Sequence, residues 1–411
     1  MKTFIGFTEA LQLTLANVHL AGVESLPLNE LSGRILSEDL FSKVDCPSVD
    51  ASLKDGYAVK SQEIALACSN RPVRLTIKGS VAAGGKSTDK IESGQTIRVT
   101  TGAPIPEGAN AVLAEEFCQQ TGNELICKDI SSLGQNILKK GSDLKTGDII
   151  AGKGEKLYPP VMGLMAAAGL REAAVYKQPR VTVLAIGDEI VLPGSPLPDG
   201  KLYASNLVET CAWLSLYGFR YKSARAGDLE NDIAAVILKH LDDTDVIITS
   251  GGIWGSEKDL MKRVLEKLGW EGVYHRVKLG PGKGISFGLL ENRPFFCLPG
   301  GPPSSEMAFL QLTLPALFKM KGEALPCFPI VNARLAETLH SEKAWTKCVH
   351  AGIVKKDGEL LAKPLKQKSR LQSMARNDGI IIIPENQESV MEGSLVDIQV
   401  LPSCRMTRHT Y

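Results

Sequence analysis

Between residues 180 and 320 the chain alternates short, nearly all-apolar runs with amphipathic ones, and few folds can bury that pattern. "RVTVLAIG" (180–187), "DVIITSGG" (245–252) and "RPFFCLPGG" (293–301) are apolar on both alternating faces. A strand of that kind must be covered on both sides, which is the condition of a parallel sheet packed between helices. The intervening segments supply the helices: "SNLVETCAWLSLYG" (205–218), "LENDIAAVILKHL" (229–241), "SEKDLMKRVLEKLG" (256–269) and "PSSEMAFLQLTLPALFKM" (303–320). Ser205 is the expected N-cap of the first of these and Gly218 its stop, while Ser256 and Asp259 form a capping-box-like start. "YKSARAG" (221–227) reads as a further strand, so the region is an open α/β sheet.

The flanking sequence has a different texture. At 411 residues the chain exceeds one hydrophobic core and implies roughly two to four domains. The start reads as an amphipathic helix from Phe4 to Val18, followed by a second helical segment near Leu28–Leu40. From Ala58 to Gly154, β-rich runs such as "VRLTIKGSV", "QTIRVTTGA", "AVLAEEFC" and "ELICKDI" are separated by Gly, Pro and Asn turns. "LYPPVMGLMAAAGL" (157–170) returns to helix with a proline pair in its first turn. After Cys327, "KCVHAGIV", "GIIIIP" and "LVDIQVL" predict a small C-terminal β-domain.

The bulk numbers exclude several function classes. A net charge of +1 offers no global basic field for nucleic acid or an anionic membrane. No run approaches the roughly 18 apolar residues of a membrane span, and the N-terminus lacks a signal-peptide core. Nine cysteines are scattered without a CxxC pair, which argues against a disulfide framework or structural zinc and fits a reducing cytoplasm.

In an open parallel sheet, ligands sit where strand ends lead into helix starts. Four such junctions stand out: Gly187-Asp188-Glu189, Gly227-Asp228, Ser250-Gly251-Gly252 and Leu298-Pro299-Gly300-Gly301-Pro302. Glycines there admit close backbone approach, and free amides at the following helix starts favour an anion such as phosphate. Glu189, Asp228 and Asp259 on the same rim point to a divalent cation between acid and phosphate, or to proton transfer. Each junction alone is better read as a turn with a capping aspartate, and it is the four at one rim that shift the balance. No Walker A or GxGxxG pattern occurs. The loop "KLGPGKGISFG" (278–288) either aims Lys278 and Lys283 at an anion or is a hairpin tip with solvated lysines. Trp254, on a candidate loop, either stacks on a flat ligand or packs against the sheet. None of the six histidines has metal-ligand spacing.

"DGYAV" (55–59), "TGAPIPEGANAV" (101–112), "GDEI" (187–190), "SGG" with "EKD" (250–259), "PGKG" (281–284) and "LPGGP" (298–302) occur in this order. Together they resemble the molybdopterin molybdenumtransferases, a family that includes the C-terminal domain of gephyrin, over about Phe4 to Pro402. The resemblance implies an elongated discontinuous domain (1–45 and 145–176), an inserted β-rich domain (46–144), a three-layer molybdopterin-binding α/β domain with a largely parallel sheet (177–326), and a C-terminal β-barrel-like domain (327–411). It implies a homodimer whose site lies between the α/β domain of one subunit and the β-domain of the other. It also implies insertion of molybdate or tungstate into adenylylated molybdopterin, with Mg²⁺ or a similar cation and release of AMP. An upstream molybdopterin adenylyltransferase and recipient molybdoenzymes would be the partners, in the cytoplasm.

By motif match, Asp55, Thr101, Glu189, Asp228 and Asp259 would be catalytic, and Glu189, Asp228 and Asp259 would hold the metal. Gly187, Asp188, Ser250, Gly251, Gly252, Lys283, Pro299, Gly300, Gly301 and Pro302 would bind the pterin and its phosphates, with Asp143 as a further candidate. Several loops depart from the family's usual wording. Ser52-Leu53-Lys54 replaces "SAM", Ala185-Ile186 replaces hydroxyl residues, and Trp254 replaces a small serine. One lysine is missing from the "KPGKP" region, Gly301 replaces an asparagine, and Lys368-Ser369-Arg370 replaces "GSH". Two functions therefore remain open here: an active metal insertase, or a non-catalytic molybdopterin-binding carrier, sensor or delivery chaperone.

Overall fold

In the computed structural model, residues 1–86, 89–251, 260–324, 328–356, 358–365 and 369–404 are described. They divide into two compact units, Met1–Glu24 with Tyr176–Tyr411, and Ser25–Val175.

The first unit is built on a seven-stranded sheet. Its elements in chain order are β1 (Lys2–Ile5), α1 (Phe7–Ala16), β2 (Val181–Ile186), α2 (Ser205–Leu216), β3 (Tyr221–Ala226), α3 (Glu230–Leu241) and β4 (Val246–Ser250). After these come α4 (Leu260–Lys267), β5 (Glu271–Val277), β6 (Ser286–Leu290), β7 (Arg293–Leu298), α5 (Pro302–Ala308) and α6 (Leu314–Met320). The spatial order is β1-β5-β6-β7-β4-β2-β3. Only β6 runs antiparallel to its neighbours; the other pairings are parallel. Alternation along β2 explains the three layers. Val181, Val183 and Ala185 enter one core with α2, α5 and α6, while Leu184 and Ile186 enter another with α3 and α4. The buried Thr14 and Tyr274 hydroxyls satisfy each other at 2.8 Å, joining α1 to β5.

The C-terminal strands of this unit are β8 (Ile330–Leu335), β9 (Thr346–Lys356), β10 (Glu359–Pro364), β11 (Gly379–Ile383) and β12 (Leu395–Val400), with α7 (Arg370–Ala375) between β10 and β11. They close into a five-stranded barrel, β9-β10-β8-β12-β11 and back to β9. Closure removes unpaired edges, and Ala351, Ile353, Ile381 and Ile398 fill the interior. A two-residue strand, Leu279–Gly280, adds to β9 in parallel.

The second unit holds a six-stranded sheet, in the order 111–114, 56–59, 95–99, 73–81, 124–127, 118–121. Its core residues Tyr57, Val59, Ile64 and Leu125 are separate from a second cluster of Leu31, Leu36, Leu144, Leu157 and Met165.

Several local expectations are corrected. The opening helix is Phe7–Ala16 only, because Lys2–Ile5 is recruited as an edge strand of the sheet. The helix expected near Leu28–Leu40 is a single 3-10 turn, Leu28–Glu30. Gly33, at φ 77°, and bridges from Ile35 and Leu36 to Lys156 and Val175 draw the rest into extended pairing. Ser205 is not a cap: Ala204 holds that position and no side chain caps α2. Ser256 and Asp259 lie outside the described residues. The eight described cysteines are free thiols, and among the described residues no helix is long and apolar enough to cross a membrane.

Where α2 and α5 meet β9, three titratable side chains converge. His350 Nε2 lies 2.6 Å from Glu306 Oε2. Burial, then the adjacent Glu306 charge, pushes the Glu209 carboxyl up from its ordinary 4.5 to about 8. The folded state therefore holds a proton that the unfolded state releases near pH 4.5. The stability contributed is complete below about pH 4.5 and declines as pH rises towards 8. Glu209→Gln is expected to flatten that decline, melting several degrees above the parent at pH 9 and close to it at pH 4.5 in paired thermal scans.

Candidate functional site

The chain leaves β2 through α2 to β3 on one side, whereas β4 leads through α4 to the opposite side of the sheet. The adjacent carboxyl ends of β2 and β4 are thus the point where connections diverge, which opens a crevice. Register brings Ala185 opposite Ser250, so the residue that follows β4 lies beside the end of β2. That residue is Gly251, at φ 92°, and a Cβ there would sit 2.3 Å from the Ile186 carbonyl oxygen. Gly187, at φ 143°, leaves room for the Glu189 side chain to arch over it; a Cβ would meet Glu189 Oε2 at 2.4 Å. Gly251 is required both by space and by backbone angle, and Gly187 by backbone angle.

Asp188 and Asp228 cap each other's loops. The Asp188 N–H donates to Asp228 Oδ2 at 3.1 Å, and the Asp228 N–H donates to Asp188 Oδ1 at 3.3 Å. Asp188 is therefore turned towards the backbone of the β3 loop, and Lys201 Nζ donates to its carbonyl at 3.0 Å. Glu189 and Asp228 are exposed carboxylates on this rim. Asn206, in the first turn of α2, ties two loops together. Its Nδ2 donates to Ser250 Oγ at 3.0 Å and to the Gly300 carbonyl at 2.9 Å. Its Oδ1 is buried with no hydrogen-bond partner among the described residues.

These residues enclose a cavity of about 490 Å³ lined by Ile186, Glu189, Asn206, Ser250, Gly251, Gly300 and Pro302, with Arg370 from α7 supplying a cation. That size suits a small molecule. The helix starts contribute less than the sequence implied. Pro302 and Pro303 fill the first turn of α5 and carry no N–H, and Glu230 and Asp232 occupy the first turn of α3. Positive charge on this rim comes instead from side chains.

Lys283 belongs to a loop adjoining Pro299, which a Cβ on Gly284 would meet at 3.5 Å. Its ammonium lies 5.2 Å from the Phe4 ring centroid and 5.7 Å from that of Trp345, and Lys278 lies 5.6 Å from Phe4. The lysines rest on aromatic faces, an arrangement neither the hairpin-tip nor the bare anion-loop reading contained. Gly252, Trp254 and Asp259 lie outside the described residues. Among the described residues no three His, Cys, Asp or Glu side chains gather as a metal site.

In the second unit, Asp55 and Thr101 meet. Asp55 Oδ1 accepts the Thr101 N–H at 2.6 Å and its hydroxyl at 3.0 Å. The Thr101 amide, then its hydroxyl, hold the Asp55 carboxyl below its usual range, with Arg98 adding to this. The glycine of "DGYAV" has a steric reason, since a Cβ on Gly56 would lie 2.2 Å from the Leu113 carbonyl oxygen. Asp143 is exposed, with its N–H bonded to the Cys46 carbonyl. Sequence reasoning missed Asn206, Phe4 and Trp345, and noted Arg370 only as a departure from the family's wording, without placing it at the cavity. Only Asn206 carried a usable signal, a short amide at the start of a helix facing the crevice.

Residues 5–169 match the model of the MoeA N-terminal region (domain I and II), 182–319 match the "probable molybdopterin binding domain", and 332–401 match the MoeA C-terminal region (domain IV). The chain is 35% identical to the molybdopterin molybdenumtransferase of Haemophilus influenzae over 304 residues, 73% of each protein. It is 28% identical to molybdopterin molybdenumtransferase 2 of Mycobacterium tuberculosis over 91% of this chain and 94% of that one. Two solved structures of the molybdopterin biosynthesis MoeA protein of Pyrococcus horikoshii share the fold. They give TM-scores of 0.83 at 30% identity and 0.78 at 26%, each over 97% of this chain and covering 99% and 100% of theirs.

Gly251→Ala tests the crevice geometry. The added methyl group should force the β4 end away from Ile186, lowering stability by about 1–3 kcal/mol in urea titrations. Gly300→Ala, whose Cβ would find nothing among the described residues nearer than the Gly251 Cα at 4.0 Å, should leave stability within about 1 kcal/mol of the parent.

Proposed function

The chain belongs to the molybdopterin molybdenumtransferase family, and from that premise we propose that it inserts molybdate into adenylylated molybdopterin and releases AMP. It is a transferase of molybdenum cofactor biosynthesis. The observation that carries the finer reading is the convergence of Glu189, Asn206, Ser250 and Gly251 on one cavity at the switch point of the sheet.

A pterin brings a flat ring edged with donors and acceptors. The unpartnered Asn206 Oδ1 is an acceptor suited to such an edge. Cleaving the phosphoanhydride and delivering molybdate both need negative charge to be offset, a task for Arg370, which lines the cavity, and, by motif, for Lys283. Glu189 and Asp228 are hard oxygen donors. Asp228 Oδ1 accepts no hydrogen bond among the described residues, so the pair fits a magnesium ion, with Asp259 as the third ligand by motif. Bound there, the cation would supply neutralisation of the bridging phosphates. Asp55 and Thr101 are assigned to the same reaction by motif. Their mutual hydrogen bonds keep the carboxylate ionised and oriented.

Tungstate as alternative oxyanion, a homodimer, a cytoplasmic setting, an adenylyltransferase upstream and molybdoenzymes downstream complete this reading. So does the four-part division at 45, 144, 176 and 326. The separate cores of the second unit and the barrel support that division, while Lys2–Ile5 serves the α/β sheet.

The test is AMP release from adenylylated molybdopterin and magnesium on adding molybdate. Glu189→Gln and Asp228→Asn should each slow release by roughly 100-fold or more while leaving the melting temperature near the parent's. Binding of molybdopterin without any AMP release by the parent would favour the non-catalytic carrier instead.

A further inference from the structure

We propose that Phe4 and Trp345 are positioning residues that hold the Lys278 and Lys283 ammoniums as a pair for one tetrahedral oxyanion. This rests on the reading that Lys283 serves an anionic substrate, and it adds the device that aims the charge.

Both ammoniums are tethered to one ring, that of Phe4, and Lys283 also lies over Trp345. The two rings meet edge-on, with centroids 5.7 Å apart and planes at 75°. Three chain segments are locked together at this point by backbone bonds. The Lys278 N–H donates to the Ile5 carbonyl at 2.8 Å, and the Thr346 N–H donates to the Lys278 carbonyl at 2.9 Å. Each aromatic residue thus immediately precedes a residue bonded to Lys278. Phe4 adopts φ 54° and Ala344, before Trp345, adopts φ 64°. Side-chain-bearing residues rarely take the left-handed region, and two of them do so beside the same lysine pair. Phe4 remains 41% exposed, so burial of its ring does not account for that conformation.

The electrostatics point the same way. Among the described residues neither lysine meets a carboxylate, so the π faces are the compensating groups in view. A ring quadrupole attracts a cation without neutralising it. Two like charges held beside one ring repel each other, and a doubly charged tetrahedral anion accepting from both relieves that repulsion. Carboxylates such as Glu189 and Asp228 lie on the loops after β2 and β3, across β4, β7 and β6 from the lysines that follow β5, so the oxyanion and the cation have separate places on the rim.

The molybdate dependence of AMP release by the full chain is the measurement, made on Phe4→Leu, Phe4→Trp, Trp345→Leu and Lys283→Ala. Phe4→Leu should raise the KM for molybdate roughly three- to tenfold, with kcat at saturating molybdate unchanged. Trp345→Leu should shift KM in the same direction, and Phe4→Trp should return it to the parent value. If Lys283→Ala raises KM while Phe4→Leu and Trp345→Leu do not, the positioning role is overturned and the lysine reading stands. If Lys283→Ala also leaves KM unchanged, the lysine reading falls with it. A loss confined to kcat, or failure of tryptophan to restore KM, gives the ring a packing role only and overturns the proposal. Trp345→Leu keeps the test decisive if Phe4→Leu fails to fold.

Discussion

The site depends on one contact in which there is no room for a side chain: the Gly251 Cα laid against the Ile186 carbonyl. Two parallel strands that end side by side would normally diverge into their own helices with side chains between them. Here the backbone after β4 lies so close to the end of β2 that a Cβ on Gly251 would sit 2.3 Å from the Ile186 carbonyl oxygen. The Asn206 amide of α2 then holds Ser250 and Gly300, so the ends of β4 and β7 are both tied to α2 by one side chain. Gly251, Ser250, Asn206 and Gly300 all line the cavity.

Charge on the rim is sorted by strand. The acidic residues follow β2 and β3, at one end of the sheet, and the lysines follow β5, towards the other. The acids differ among themselves. Asp188 spends an oxygen on the Asp228 backbone, whereas Glu189 stands clear over a glycine. A motif containing "GDE" therefore combines a structural acid with one free to act, and adjacent letters of the sequence have different work.

Strong periodicity explains what was legible beforehand. β2, β4 and β7 are buried on both faces, so their apolar runs could be nothing but central strands, and the glycine junctions followed from them. The motif order then identified the family. Weak local signals decided the rest. Leu28–Leu40 has helical-looking leucines, but Gly33 and long-range pairing with Lys156 and Val175 override them. Lys2–Ile5 becomes a strand only because β5 offers an edge 272 residues later, which no local pattern encodes. The same holds for Phe4 and Trp345, whose meeting with two lysines is a product of tertiary structure.

The short strand Leu279–Gly280 is hydrogen-bonded to β9, so the loop bearing Lys283 is stitched into the C-terminal barrel although its sequence belongs to the α/β sheet. A closed barrel deforms little, since every strand is braced by two others. The lysine loop is in consequence a hub between that barrel and the sheet: Lys278 is bonded to Ile5 on one side and to Thr346 on the other, so the ammoniums sit where the two bodies are pinned to each other.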